Sequence, residues 1–207
     1  MSLFSRITAL SALTLSLAVA APASANLIVN GSFEDPDVAS GAWKSFDASE
    51  VPGWDGSRIE IWDNYNGETA YEGSQFAELN SDPGTGTAFS IFQDIATVIG
   101  QAYDMSFAYQ ARRSDTEVFA FSVIPEGSAT LSWQLSNHTT DGWKLFSNSF
   151  VATAINTRIM FTSVVPETGT IGNFLDDVKV TVAVPEPGTI AMLSLGLFGL
   201  GMSRRRR

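Results

Sequence analysis

Residues 103–112 read YDMSFAYQAR. Tyr103, Met105, Phe107 and Tyr109 share one parity; Asp104, Ser106, Ala108 and Gln110 share the other. Period-two alternation rich in aromatic residues marks a half-buried β-strand. The same pattern extends outward in both directions. Ser57–Asp63, SRIEIWD, sets Ile59 and Ile61 on one face and Arg58, Glu60 and Trp62 on the other. Glu117–Ile124, Thr130–Leu135, Lys144–Phe150, Thr157–Val164 and Leu175–Val182 alternate in the same way. Turn signals separate the runs: Pro52-Gly53, Asn66-Gly67, Asp82-Pro83-Gly84, Pro125-Glu126-Gly127, Asp141-Gly142 and Thr168-Gly169-Thr170. No stretch between them has a helical period. Many short strands spaced by turns predict an all-β sandwich or jelly roll in one domain.

Both ends of the 207-residue chain read as processing signals. Arg6 precedes an apolar run from Ile7 to Ala21, and Ala23-Ser24-Ala25 supplies small residues for cleavage. Residues 1–25 are therefore expected to be a secretory signal peptide, with Asn26 as the first mature residue. At the other end, Pro185, Glu186 and Pro187 precede a run from Ile190 to Met202 that is apolar except for Ser194. Arg204, Arg205, Arg206 and Arg207 close the chain. As a helix that run spans about 20 Å, short of a hydrocarbon core of about 30 Å. Gly188, Thr189, Ser203 and snorkelling arginines extend it. The arginines belong on the cytoplasmic side, which holds the domain outside. The expected organisation is 1–25 signal peptide, 26–182 β domain and 183–207 sorting segment.

Charge narrows the partners. Removing Arg6, Arg204–Arg207 and Glu186 from totals of 12 basic and 22 acidic residues leaves 7 and 21, a domain near −14. Such a surface repels nucleic acid, whose binding rests on phosphate neutralisation. The chain has no cysteine, so an exported form gains no disulfide.

Two sets of residues carry candidate chemistry. In GNFLDDVKVTV, residues 172–182, Asp176 shares parity with Val178, Val180 and Val182. A carboxylate on an apolar face is costly unless partnered. Two solutions stand open: backbone hydrogen bonds at a strand end, or a hard cation such as calcium. Glu34 in the first mature segment, NLIVNGSFEDP, is the natural second ligand if first and last segments adjoin. Sugar binding, for its part, needs aromatic platforms with planar polar groups. Trp62, Tyr65 and Tyr71 are candidate platforms; Gln75, Glu78, Asn80, Gln110 and Arg112 are candidate hydroxyl partners. The competing reading is that these aromatics fill a layer of the sandwich, as Trp54, Trp133 and Trp143 are expected to. Catalysis has little support: the one histidine, His138, lies in the polar stretch SNHTT and reads as a solvated loop residue.

Five stretches in order carry a resemblance: NLIVNGSFEDP, VPGW at Val51–Trp54, IEIW at Ile59–Trp62, YEGSQFAELN at Tyr71–Asn80 and FLDDV at Phe174–Val178. The set resembles galactose-binding-like jelly-roll proteins of the domain-of-unknown-function type, and carbohydrate-binding modules of that fold. The resemblance implies a structural calcium at the matching positions, Glu34 and Asp176, and a carbohydrate ligand. The C-terminal order of VPEP, short apolar span and arginine cluster resembles the PEP-CTERM sorting signal. That implies a Gram-negative bacterium, transient anchoring in the inner membrane, cleavage by an exosortase and release to the cell surface. The expected function is non-catalytic binding of an envelope or biofilm exopolysaccharide. The alternatives are a structural matrix protein without a sugar site, and a glycoside-active enzyme.

Overall fold

A computed structural model describes residues 24–184. The signal peptide through residue 23 and the sorting segment from Pro185 onward lie outside them. Among the described residues the chain forms β1 (Ala42–Phe46), β2 (Asp55–Gly56), β3 (Ile59–Asp63), β4 (Gln75–Glu78), β5 (Ser90–Ala96), β6 (Ala102–Gln110), β7 (Val118–Pro125), β8 (Leu131–Leu135), β9 (Lys144–Val151), β10 (Asn156–Val165) and β11 (Phe174–Val182). They pair into a six-stranded sheet, β1-β3-β4-β11-β6-β9, and a five-stranded sheet, β2-β5-β10-β7-β8. This is an all-β jelly-roll sandwich. No helix of the described residues is long and apolar enough to cross a membrane.

The core lies between the sheets and follows the alternation. Tyr103, Met105, Phe107 and Tyr109 on β6 are all buried in it, as are Ile59 and Ile61 on β3. Phe107 is its hub, with ring centroids 4.9 Å from Phe121 and 5.0 Å from Phe161 across the sandwich. Trp54 is also buried there, stacked on Phe33 at 5.1 Å.

Four strands go beyond the predicted set: β1, the two-residue β2, β4 and β5. The opening segment differs in the other direction. Residues 26–36 form turns and bends, with Asn30 and Phe33 at positive φ. They still lie along β11: Leu27 N–H donates to Val180 O at 2.8 Å, and Val178 N–H donates to Gly31 O at 2.9 Å. Gly31 permits the approach, since a Cβ there would sit 2.1 Å from Val178 O.

The parity reading of β11 is corrected by a bulge. The register against β6 shifts between Asp176 and Lys179, and Asp177 takes φ 51°. An extra residue inverts the alternation beyond it. Leu175, Val178 and Val180 therefore face the core, while Asp176 lies on the outer face with Phe174.

Candidate functional site

The outer face of the six-stranded sheet carries Glu60 and Trp62 on β3, Phe76 and Glu78 on β4, Gln110 on β6, and Phe174 and Asp176 on β11. An outward sheet face is ordinarily half solvated. Here every one of these side chains is buried, because the segment from Asn64 to Ser74 crosses over them. Its turn places Asn64 at φ 44°, Asn66 at φ 56° and Gly67 at φ 86°, residues suited to the left-handed region. Side chains of the sheet and its neighbours then pin the segment. Gln110 donates to Glu68 at 3.0 Å and Trp143 Nε1 donates to Thr69 O at 2.9 Å.

Asp176 and Glu34 hold the end of that segment. Asp176 accepts the N–H groups of Tyr71 at 2.7 Å, Glu72 at 2.9 Å and Asp177 at 2.6 Å. Glu34 accepts Ser74 N–H at 2.8 Å, Ser74 Oγ–H at 2.9 Å and Gln75 N–H at 2.9 Å. Burial pushes the Asp176 pKa up to about 7 against these bonds. Among the described residues neither carboxylate has a basic ion-pair partner. Each uses three of its roughly four acceptor sites, so both retain capacity for a cation. No third carboxylate, histidine or cysteine joins them among the described residues. Carboxylate oxygens are the ligand type that calcium takes, and each of these two keeps about one acceptor site beyond its three donors.

At the strand ends nearest Phe174 the cover opens into a polar depression of about 310 Å³. Trp62 and Phe174 form its floor; Asn66, Glu68, Arg112 and Arg113 form its wall. The Arg112 guanidinium lies over the Trp62 ring at 4.6 Å, a cation–π contact. Its Nη1 donates to both oxygens of Glu78 at 2.6 and 2.8 Å and to Thr170 O at 2.9 Å. Nε and Nη2 have no hydrogen-bond partner among the described residues. Beneath, Glu78 is fully buried and directly opposite Glu60 in the β3–β4 register. Burial pushes the Glu78 pKa well above the ordinary range; Arg112 opposes that push and Glu60 adds to it. Glu60 accepts Trp62 Nε1 at 2.8 Å and Asp82 N–H at 3.1 Å. This carboxyl pair is sealed under the floor and cannot reach a glycosidic bond.

The predicted sugar residues divide. Trp62, Tyr65, Glu78 and Arg112 come together here; Tyr65 meets Trp62 edge-on at 5.0 Å. Trp62 itself is buried to 2% exposure with the Arg112 guanidinium over its ring, and Glu78 lies beneath, so neither is the open sugar contact that the sequence predicts. Tyr71 is exposed at the far end of the cover beside Trp143, at 6.4 Å between centroids. Gln75 and Asn80 do not join the site. Gln75 is buried bracing the chain, donating to Phe33 O at 2.7 Å and Pro36 O at 3.1 Å. Asn80 is buried accepting Ser163 Oγ–H at 2.7 Å. Asn66, Glu68 and Arg113 escape a reading by strand pattern because they stand in loops; the doubled arginine was their nearest signal. Trp133 and Trp143 are half-buried rather than core. His138 is not solvated: it is buried between Tyr109 and Phe119, with Nε2 against Asn173 and Nδ1 without a hydrogen-bond partner among the described residues.

A larger groove of about 580 Å³ lies on the five-stranded sheet around Asp94, Glu126 and Arg158. Its lining carries no aromatic side chain, so it offers no stacking surface for a sugar.

Comparison with known proteins bears on these features. Residues 26–181 match the model of a family described as "Protein of unknown function (DUF642)". Residues 183–207 match the PEP-CTERM protein-sorting motif. No curated protein matches the chain in sequence. Among solved structures, the arabinose-bound MgGH51 α-L-arabinofuranosidase is similar at 13% identity and TM-score 0.50, over 76% of this chain and 26% of that one. TmCBM61 in complex with beta-1,4-galactotriose is similar at 16% identity and TM-score 0.48, over 77% of this chain and 100% of that one. The CBM22-1 xylan-binding domain from Paenibacillus barcinonensis Xyn10C stands at 14% identity and TM-score 0.46, over 81% and 100%. At these identities the likeness is one of fold.

Proposed function

The chain belongs to the DUF642 family and ends in a PEP-CTERM sorting motif, and from that premise we propose that it is an exported, non-catalytic protein that binds envelope or matrix polysaccharide. The observation that carries this reading is the depression above Trp62. A guanidinium fixed on one side by Glu78 and free at Nε and Nη2 is preset to donate to ring hydroxyls. Asn66, Glu68 and Arg113 add planar amide, carboxylate and guanidinium groups beside it. Tyr71 and Trp143, at the other end of the covering segment, offer a second aromatic contact along an extended chain. The sorting segment directs the protein through an exosortase that cleaves near Pro185-Glu186-Pro187, after transient anchoring in the inner membrane of a Gram-negative cell.

Calcium belongs to the same proposal. Held by Glu34 and Asp176, it offsets two carboxylates that have no basic partner and fastens the segment that shapes the site. Thermal unfolding is expected at higher temperature in calcium than in EDTA, and Asp176→Asn is expected to remove the difference. Equal melting temperatures in the two buffers contradict this part.

A glycan-binding screen of the mature protein, with and without calcium, tests the function. Retention on one or more polysaccharides is expected. Retention on none favours a structural matrix protein, and hydrolysis of any of them favours an enzyme.

A further inference from the structure

The end of the sandwich away from the depression holds apolar side chains in water. Val98 and Ile99, in the turn between β5 and β6, are 66% and 63% exposed; Val151 and Ile155, beside the β9–β10 connection, are 57% and 65% exposed. Turns at such places ordinarily carry Gly, Asn, Asp or Ser. The two turns are joined: Thr97 N–H donates to Ile155 O at 2.8 Å and Gly100 N–H donates to Ala152 O at 2.8 Å. They form one patch of β-branched residues.

The chain leaves the domain beside this patch. Ala183 N–H donates to Ala102 O at 3.0 Å, immediately after the β5–β6 turn, and Val184 is itself 46% exposed. The apolar run of the sorting segment begins at Ile190. Six residue steps separate Val184 from Ile190, at most about 20 Å fully extended. As a helix the thirteen-residue run would span about 20 Å, less than a hydrocarbon core of about 30 Å, so its insertion would leave only a short tether to the domain.

We propose that Val98, Ile99, Val151 and Ile155 form a surface that rests in the lipid interface while the sorting segment is inserted. The proposal rests on reading that segment as a membrane insert. The contact is driven by apolar burial, since a domain near −14 gains nothing from anionic headgroups. It also orients the molecule. β11 runs from Phe174, on the floor of the depression, to Val182, next to the exit point. Allowing for the bulge, they face Gln110 and Tyr103 of β6, seven residue steps or about 24 Å apart. With the patch on the bilayer, the depression lies at the end of the sandwich farther from it.

The absence of native cysteine makes a direct test available. Ile99→Cys and, at the opposite end, Asp115→Cys are introduced singly into the full chain and labelled with a fluorophore. Each protein is reconstituted into phosphatidylcholine vesicles containing nitroxide-labelled lipid. Quenching at position 99 is expected to be several-fold stronger than at position 115. Substituting Val98, Val151 and Ile155 by Ser is expected to erase that difference while the chain still floats with the vesicles. Equal quenching at the two positions on vesicles that carry the chain overturns the proposal and leaves the anchoring reading intact. Failure of the chain to float overturns the anchoring reading and the proposal with it. Shielding of position 99 already in vesicle-free solution assigns the patch to a second copy or to the chain's own tail, and overturns the proposal as well.

Discussion

The two faces of the six-stranded sheet are both buried, by opposite chemistry. The inner face packs Ile59, Ile61, Met105, Phe107, Val178 and Val180 against the second sheet. The outer face buries Glu60, Glu78, Asp176 and Gln110 around Trp62 and Phe174, under a loop and one arginine. Apolar burial stabilises the first without directional partners. The second depends on named donors, because a buried carboxyl without them is costly. A sheet needs only one sealed face to fold. Closing the other is what shapes the depression proposed to take polysaccharide.

Substitutions on each face separate these roles. Phe107→Ala, at the hub of the inner core, is expected to have the largest effect, about 3–5 kcal/mol of stability lost in urea unfolding. A loss below about 1 kcal/mol would place the stabilising core elsewhere. Arg112→Ala strikes the outer face and is expected to cost less, about 1–3 kcal/mol. The reason is that Glu78 can keep its proton when its cation is removed. An acid whose folded pKa is raised stabilises below its unfolded pKa and loses that contribution as pH rises through the folded value. The Arg112→Ala deficit should therefore be larger at about pH 8 than at about pH 5. Adding Glu78→Gln should recover part of it; a pH-independent deficit would break the account of the outer face. The smallest expected effect lies at His138. Burial lowers its pKa, with Lys144 assisting and Asn173, Glu117 and Asp115 opposing. Below about pH 6.5 the unfolded chain takes up a proton that the folded ring refuses, so stability falls with acid. His138→Leu should flatten the melting-temperature profile between about pH 5 and 7. An unchanged slope removes His138 from the acid response.

Most of the inner face was legible from alternation, because β3 and β6–β10 each set one parity toward the core. β4 was not: in QFAE the large apolar residue, Phe76, lies on the outer face and only the small Ala77 joins the inner core. Parity also failed at Asp176, since nothing in LDDV announces that Asp177 takes a positive φ and inverts the alternation from Val178 onward. The pairing of Trp62 with Arg112 joins residues fifty apart in sequence and needs the topology. Gln75 and Asn80 have side chains suited to a ligand, yet backbone and Ser163 satisfy them. His138 looked polar by its neighbours, but its ring fills a gap between Tyr109 and Phe119.

The most direct test of the outer face as a carbohydrate site is affinity electrophoresis through gels containing polysaccharides. It compares the native sequence with an Asn66→Ala, Arg113→Ala double variant. Both residues are exposed on the wall of the depression, and their removal should leave stability within about 0.5 kcal/mol. The account predicts that the native protein is retarded by at least one polysaccharide and that the variant, equally stable, migrates freely in the same gel. Equal retardation of the two proteins would contradict it.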